Sequence, residues 1–334
     1  MSMGNALLNS KSGGTGTGED TQTKTGMGIT FPSDHNYALL IGVGKHSNPN
    51  WSLPVTVNDV YALHHLLVDP KRCGYPPHPP NMRMLVNEMA TGHAILSSLQ
   101  DLADYAANDS EANLLIYYTG HGWLDASGRY FLIPHDAQIE NLAETALSAD
   151  RFIEALRVIH SQRLLVILDT CHAEGMATAK EISLHGFHPH AVPEAVASTI
   201  VRGTSRAVFS SCLGEESSWI LPDQSLSVFT HHLLEAFNGA GTPAGARHVT
   251  IANLMAHIGP SVEATAARLG KSQHPFFKFE AEAFPVALPG RSNEPSDSRP
   301  EGVHTSRTQN FHGEVGIYSE GGGDIHIDHW GRRG

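Results

Sequence analysis

Two short segments carry side chains able to do covalent chemistry together. One reads Tyr117-Tyr118-Thr119-Gly120-His121-Gly122 and the other Leu168-Asp169-Thr170-Cys171-His172-Ala173-Glu174-Gly175, each closing an apolar run that suits a buried strand. A thiol becomes an effective nucleophile only as the thiolate, and a nearby imidazole in a polar backbone environment supplies that form at neutral pH. Cys171 is the candidate nucleophile and His121 the candidate general acid and base of an acyl-transfer reaction such as peptide hydrolysis. The tetrahedral oxyanion needs donors, and the backbone N–H groups of Gly122 and Cys171 are the natural candidates. Taken singly, a cysteine after an apolar strand is a small hydrophobe and a histidine a satisfied polar group. Their joint placement on two strand ends beside glycine and small polar residues is what points to chemistry.

Such residues meet only if a scaffold brings the two segment ends together. Residues 37–43 (YALLIGV) form a short continuous apolar run, as in a strand covered on both faces. The spacing of Val60, Leu63 and Leu67 predicts a helix over 57–68, with Asn58 and Asp59 suited to its N-cap. The pattern repeats with strands at 82–86, 113–119, 163–169 and 207–211, helices at 92–106, 148–160, 228–237 and 251–269, and an edge strand at 275–279. Residues 129–133 (RYFLI) suit a short strand of a surface hairpin. This alternation predicts an α/β fold, a three-layer sandwich with a mainly parallel six-stranded sheet and helices on both faces. Reactive groups of such sheets gather at the carboxyl ends of the strands, where His121 and Cys171 fall.

Composition narrows the function classes. The net charge of -12 disfavours a nucleic-acid partner and favours basic peptides. Three cysteines, Cys73, Cys171 and Cys212, do not make a disulfide framework and suit a reducing, cytoplasmic setting. No apolar run approaches the roughly 20 residues that cross a bilayer, so no membrane partner is expected. Gly42-Val43-Gly44 falls short of a dinucleotide fingerprint, with serine at position 47, and Gly44-Lys45 falls short of a phosphate loop, with Leu39 where its first glycine belongs. No cofactor is expected. The 22 histidines are scattered, including His64 and His65, His231 and His232, and the group His185, His188 and His190, and no metal-site spacing is evident. Residues 1–35 are expected to be a flexible arm, 36–288 the folded domain, 289–303 a linker, and 304–334 a tail with the alternation of a small hairpin. That tail suits a docking strand for a partner as well as a bare terminus. Residues 173–206 show weak periodicity and suggest a functional loop, with Lys180, Arg202 and Arg206 as self-processing positions.

The ordered series Ala38-Leu39-Leu40-Ile41-Gly42-Val43, Val57-Asn58-Asp59-Val60, Tyr117-Tyr118-Thr119-Gly120-His121-Gly122, Tyr130-Phe131-Leu132-Ile133-Pro134 and Asp169-Thr170-Cys171-His172-Ala173 resembles the caspase-like peptidases. It is most similar to the metacaspases and their prokaryotic relatives, the orthocaspases, over residues 36–285. The resemblance implies a caspase-like fold, His121 and Cys171 as the catalytic dyad, and protein or peptide substrates. It further implies cleavage after Arg or Lys, with Asp59 and Asp169 matching the acidic specificity residues; the bidentate guanidinium favours Arg. Asp59 suits a helix N-cap equally well. Ser211 and Glu215 are further candidates for the substrate pocket, although Glu215 and Glu216 also suit a solvated acidic turn. Many metacaspases bind calcium through aspartates, whereas residues 123–136 offer only Asp125 and Asp136, too few for a hard-cation site. A catalytically silent adaptor of the same fold is the rival; retention of both His121 and Cys171 weighs against it.

Overall fold

The computed structural model describes residues 34–170, 183, 186–203, 205–280, 283–289, 315–318 and 326–329. Its backbone runs β1 (Asn36–Gly42), α1 (Val55–Val68), β2 (Met82–Val86), α2 (Gly92–Asn108), β3 (Asn113–Gly120), β4 (Gly122–Asp125), β5 (Tyr130–Leu132), α3 (Leu142–Thr145), β6 (Leu147–Ser148), α4 (Ala149–Arg157) and β7 (Arg163–Thr170). It continues through β8 (Phe187–Pro189), α5 (Glu194–Ile200), β9 (Arg206–Ser210), α6 (Val228–Phe237), β10 (Val249–Thr250), α7 (Ile251–Arg268), β11 (Phe276–Glu280) and β12 (Pro285–Ala287).

Six strands form the central sheet in the order β11-β9-β7-β3-β1-β2. All neighbours are parallel except β11, which closes one edge antiparallel to β9. The strands are apolar throughout because both faces are covered. Leu39, Ile41, Ile116, Val166 and Leu168 face one core with Leu99 of α2 and Phe152 of α4, while Leu40, Tyr117, Leu165 and Ile167 face the other with Val60 of α1, Phe229 of α6 and Ile258 of α7. The result is the three-layer α/β sandwich that the alternation of strand and helix predicts.

Three local departures have physical causes. Helix α1 begins at Val55 behind Pro54, two residues earlier than its apolar spacing suggests, so Asp59 lies inside the helix and does not cap it. The strand at Tyr130–Leu132 does form a hairpin with β4, but a buried one: the pair belongs to a four-stranded sheet ordered β6-β5-β4-β8, with Trp51, Trp123, Phe131 and Phe187 in its own apolar cluster. The weakly periodic stretch after Cys171 carries β8 and α5, elements too short for a periodicity signal. A separate unit, 291–334, contains β13 (Val315–Tyr318) and β14 (His326–His329), paired antiparallel with Ile317 opposite Ile327.

Candidate active site

The ladder between β3 and β7 ends with Gly120 opposite Thr170, and the next residues in the chain are His121 and Cys171. Cys171, and with it one of the two expected oxyanion donors, lies outside the described residues. His121 is buried, and its Nε2 lies 2.8 Å from the carbonyl oxygen of Trp51. A carbonyl only accepts, so Nε2 carries the hydrogen and, in the neutral ring, the basic lone pair is on Nδ1. The imidazole stands between the rings of His46, 5.3 Å away, and Trp123, 5.7 Å away. Burial, with the charge of His121 adding to it, pushes His46 down to about 2, so this second imidazole stays neutral. The backbone of His121 is held as well: its carbonyl accepts from Ile133 N–H at 3.1 Å and from the Tyr118 hydroxyl at 3.2 Å.

Gly122 follows with no room for a side chain. A Cβ there would stand 2.1 Å from Tyr130 Oη and 2.9 Å from the His190 carbonyl oxygen. Tyr130 Oη in turn donates to Thr170 Oγ1 at 3.1 Å, which ties β5 to the end of β7.

Asp169 is fully buried on the face of β7 shared with Leu165 and Ile167. Its Oδ1 accepts from Ser218 Oγ at 2.8 Å, and its Oδ2 accepts from Ser227 Oγ at 2.6 Å and Thr230 Oγ1 at 3.3 Å. Asp59 comes from α1, also fully buried, and its Oδ1 accepts from Ser227 N–H at 2.9 Å. Ser227 therefore holds both carboxylates while its Oγ caps α6 by accepting from Thr230 N–H at 2.9 Å. Asp59 Oδ2 is buried without a hydrogen-bond partner among the described residues. Burial, and then the neighbouring Asp169, push the Asp59 carboxyl well above the usual carboxylate range.

The remaining candidates are less tightly drawn together. Ser211 is buried, its Oγ donating to the Thr170 carbonyl at 3.2 Å and its carbonyl accepting from Gln273 Nε2 at 2.9 Å. Glu215 is exposed, while Glu216 is occupied by His274 at 2.6 Å. Asp125 accepts from Ser127 and Arg129 within its own turn, and Asp136 Oδ1 accepts from Gly92 N–H at the start of α2. Ser218, Ser227, Thr230, Trp51 and His46 escaped the sequence reading. Serines and threonines are common N-caps and a backbone carbonyl has no sequence signature. The other two cysteines are buried, and burial pushes both thiols far up. Arg206, one of the basic residues considered for self-processing, is buried in β9, and its guanidinium donates to the carbonyls of Leu156 and Ile159.

A sequence profile of the caspase domain, Peptidase_C14, matches residues 35–283, and the chain belongs to that family of peptidases. No curated protein matches it. Among solved structures the chain is similar to the crystal structure of caspase-1 from Spodoptera frugiperda, at 15% identity over 75% of this chain and 90% of that one, with a TM-score of 0.47. It is also similar to the structure of pro-sf-caspase-1, at 13% identity over 75% of this chain and 92% of that one, with a TM-score of 0.47. Among the described residues no helix is long and apolar enough to cross a membrane.

Proposed function

We propose that this chain is a cysteine endopeptidase that cuts proteins or peptides after basic residues, Arg in preference to Lys, with Cys171 and His121 as its dyad. The observation that carries this reading is the buried carboxylate pair Asp59 and Asp169, gathered by Ser227 at the same strand ends that lead into Cys171. A carboxylate oxygen buried without a partner lowers stability, which makes little sense in a silent adaptor and good sense in a pocket awaiting a cation. A guanidinium entering there would give Asp59 Oδ2 its missing donor and favour ionisation of the carboxyl.

In the mechanism, the Cys171 thiolate attacks the carbonyl carbon of the scissile bond, and the oxyanion is held by the N–H groups of Gly122 and Cys171. His121, steadied by its bond to Trp51, delivers a proton from Nδ1 to the leaving amine, then removes one from the water that hydrolyses the thioester. The burial and raised pKa of Cys73 and Cys212 support Cys171 as the nucleophile, since a neutral thiol inside the core cannot attack. A reducing, cytoplasmic setting fits these free thiols.

Fluorogenic peptides ending in Arg, Lys or Asp test the proposal directly. Hydrolysis should follow the order Arg, Lys, Asp and vanish in Cys171→Ala. In the same proposal the tail at 304–334 recruits a partner: truncation after Pro289 should leave cleavage of short peptides unchanged and abolish co-purification or self-association. Unchanged co-purification and light scattering would reduce it to a plain terminus.

A further inference from the structure

Away from the cleft, three histidines close on one carboxylate where α6 packs on α7. His231 and His232 stand side by side on α6, one turn before Glu235, and His257 reaches Glu235 from α7. His232 Nδ1 lies 2.7 Å and His257 Nε2 2.9 Å from the same oxygen, Glu235 Oε2, while His231 Nε2 lies 3.4 Å from Oε1. In the sequence the HHxxE spacing of His231, His232 and Glu235 gives no metal signature, because the fourth member, His257, comes from another helix.

From this geometry we infer that His231, His232, Glu235 and His257 form a site for a divalent transition-metal ion, Zn²⁺ by its ligand chemistry. Three imidazole nitrogens and one carboxylate oxygen are a complete tetrahedral donor set for zinc. Ligand atoms about 2.1 Å from zinc in a tetrahedron stand about 3.4 Å apart; those of His231, His232 and Glu235 already lie within 4.8 Å of one another, and His257, 2.9 Å from Glu235 Oε2, has to close on the other two imidazoles to complete the set.

The surrounding groups are arranged to orient the ligands. His232 Nε2 faces Thr265 Oγ1 at 2.8 Å, and that hydroxyl also accepts from Arg268 Nη2 at 2.7 Å. His257 Nδ1 faces Ser261 Oγ at 3.5 Å. Each hydroxyl can accept an N–H from the ring nitrogen remote from the ion, which fixes the tautomer a metal-bound histidine needs. Binding thus requires each ring to move its hydrogen from the nitrogen facing Glu235 to the one facing the hydroxyl, with no net change of charge. His231 and Glu235 are partly exposed, giving the ion a way in. Occupancy would tie α7 to α6, the helix whose N-cap Ser227 holds both pocket carboxylates.

The test is calorimetric titration of the full-length Cys171→Ala chain with ZnCl₂, the substitution removing the cleft thiolate as a competing ligand. One tight equivalent per chain is expected, weakened by roughly a hundredfold or more in Glu235→Gln and in the double variant His231→Ala/His257→Ala. A titration in which the tight event is absent, or persists unchanged in both variants, overturns the site. Should the variants fail to fold, carbethoxylation of the unsubstituted histidines read by mass spectrometry decides instead. Zn²⁺ must then protect His231 and His257 selectively over exposed His93, and equal modification with and without Zn²⁺ overturns the proposal.

Discussion

Substituting Asp59 by Asn separates the functional from the structural role of the carboxylate pair. Asn keeps an oxygen to accept from Ser227 N–H, so the contact between α1 and the α6 cap survives. What is lost is the negative charge opposite an incoming guanidinium. Truncating one partner of a buried, hydrogen-bonded charge pair costs about 2–5 kcal/mol, which lowers kcat/KM for arginyl peptides by roughly thirtyfold to a few thousandfold. Stability should move the other way. The carboxyl of folded Asp59 is raised, so the native state holds its proton where the unfolded chain has released it, and wild-type stability falls as pH rises from about 3.8 through the raised value. Asn does not titrate, so its melting temperature should match the wild type at low pH and exceed it increasingly above that window. The same linkage makes arginyl-peptide binding proton-coupled, with KM falling as pH rises. The assays are thermal melts across pH and steady-state kinetics on both proteins. A variant that melts lower at every pH while still cleaving arginyl peptides at the wild-type rate would refute the reasoning.

Three further outcomes follow from the same geometry. Ser227→Ala removes both the 2.6 Å bond to Asp169 and the cap of α6, worth together about 2.5–4 kcal/mol in urea unfolding, and should weaken arginine preference. Gly122→Ala should lower both melting temperature and kcat because its Cβ would meet Tyr130 Oη at 2.1 Å, and adding Tyr130→Phe should restore part of the loss; an undisturbed Gly122→Ala would remove the steric reason for glycine there. Any self-cleavage should fall after Lys180 or Arg202 and not after Arg206, which sits in β9 with its side chain bonded to backbone carbonyls, and intact-mass comparison with Cys171→Ala checks this.

Much of the scaffold was legible because buried parallel strands announce themselves as continuous apolar runs: 82–86 coincides with β2, and the runs before His121 and Cys171 end within a residue of β3 and β7. The pocket was only half legible. Asp59 carried two equal readings in the sequence; the helix start at Val55 removes the N-cap one, and the bond that draws it towards Asp169 comes from Ser227, 168 residues along the chain. The Trp51 carbonyl that fixes His121 lies 70 residues before it, in a short turn. The strands β6, β8, β10 and β12, of two or three residues each, were missed for a related reason: pairing in space defines them, and no periodicity can be read from so few residues.

The central claim is tested most directly by the rate of hydrolysis of a fluorogenic peptide ending in arginine, measured side by side for the wild type, Cys171→Ala and His121→Ala, with circular dichroism confirming that each is folded. Cleavage after arginine by the wild type and none by either folded variant is the predicted result. Cleavage that persists in folded Cys171→Ala would contradict it.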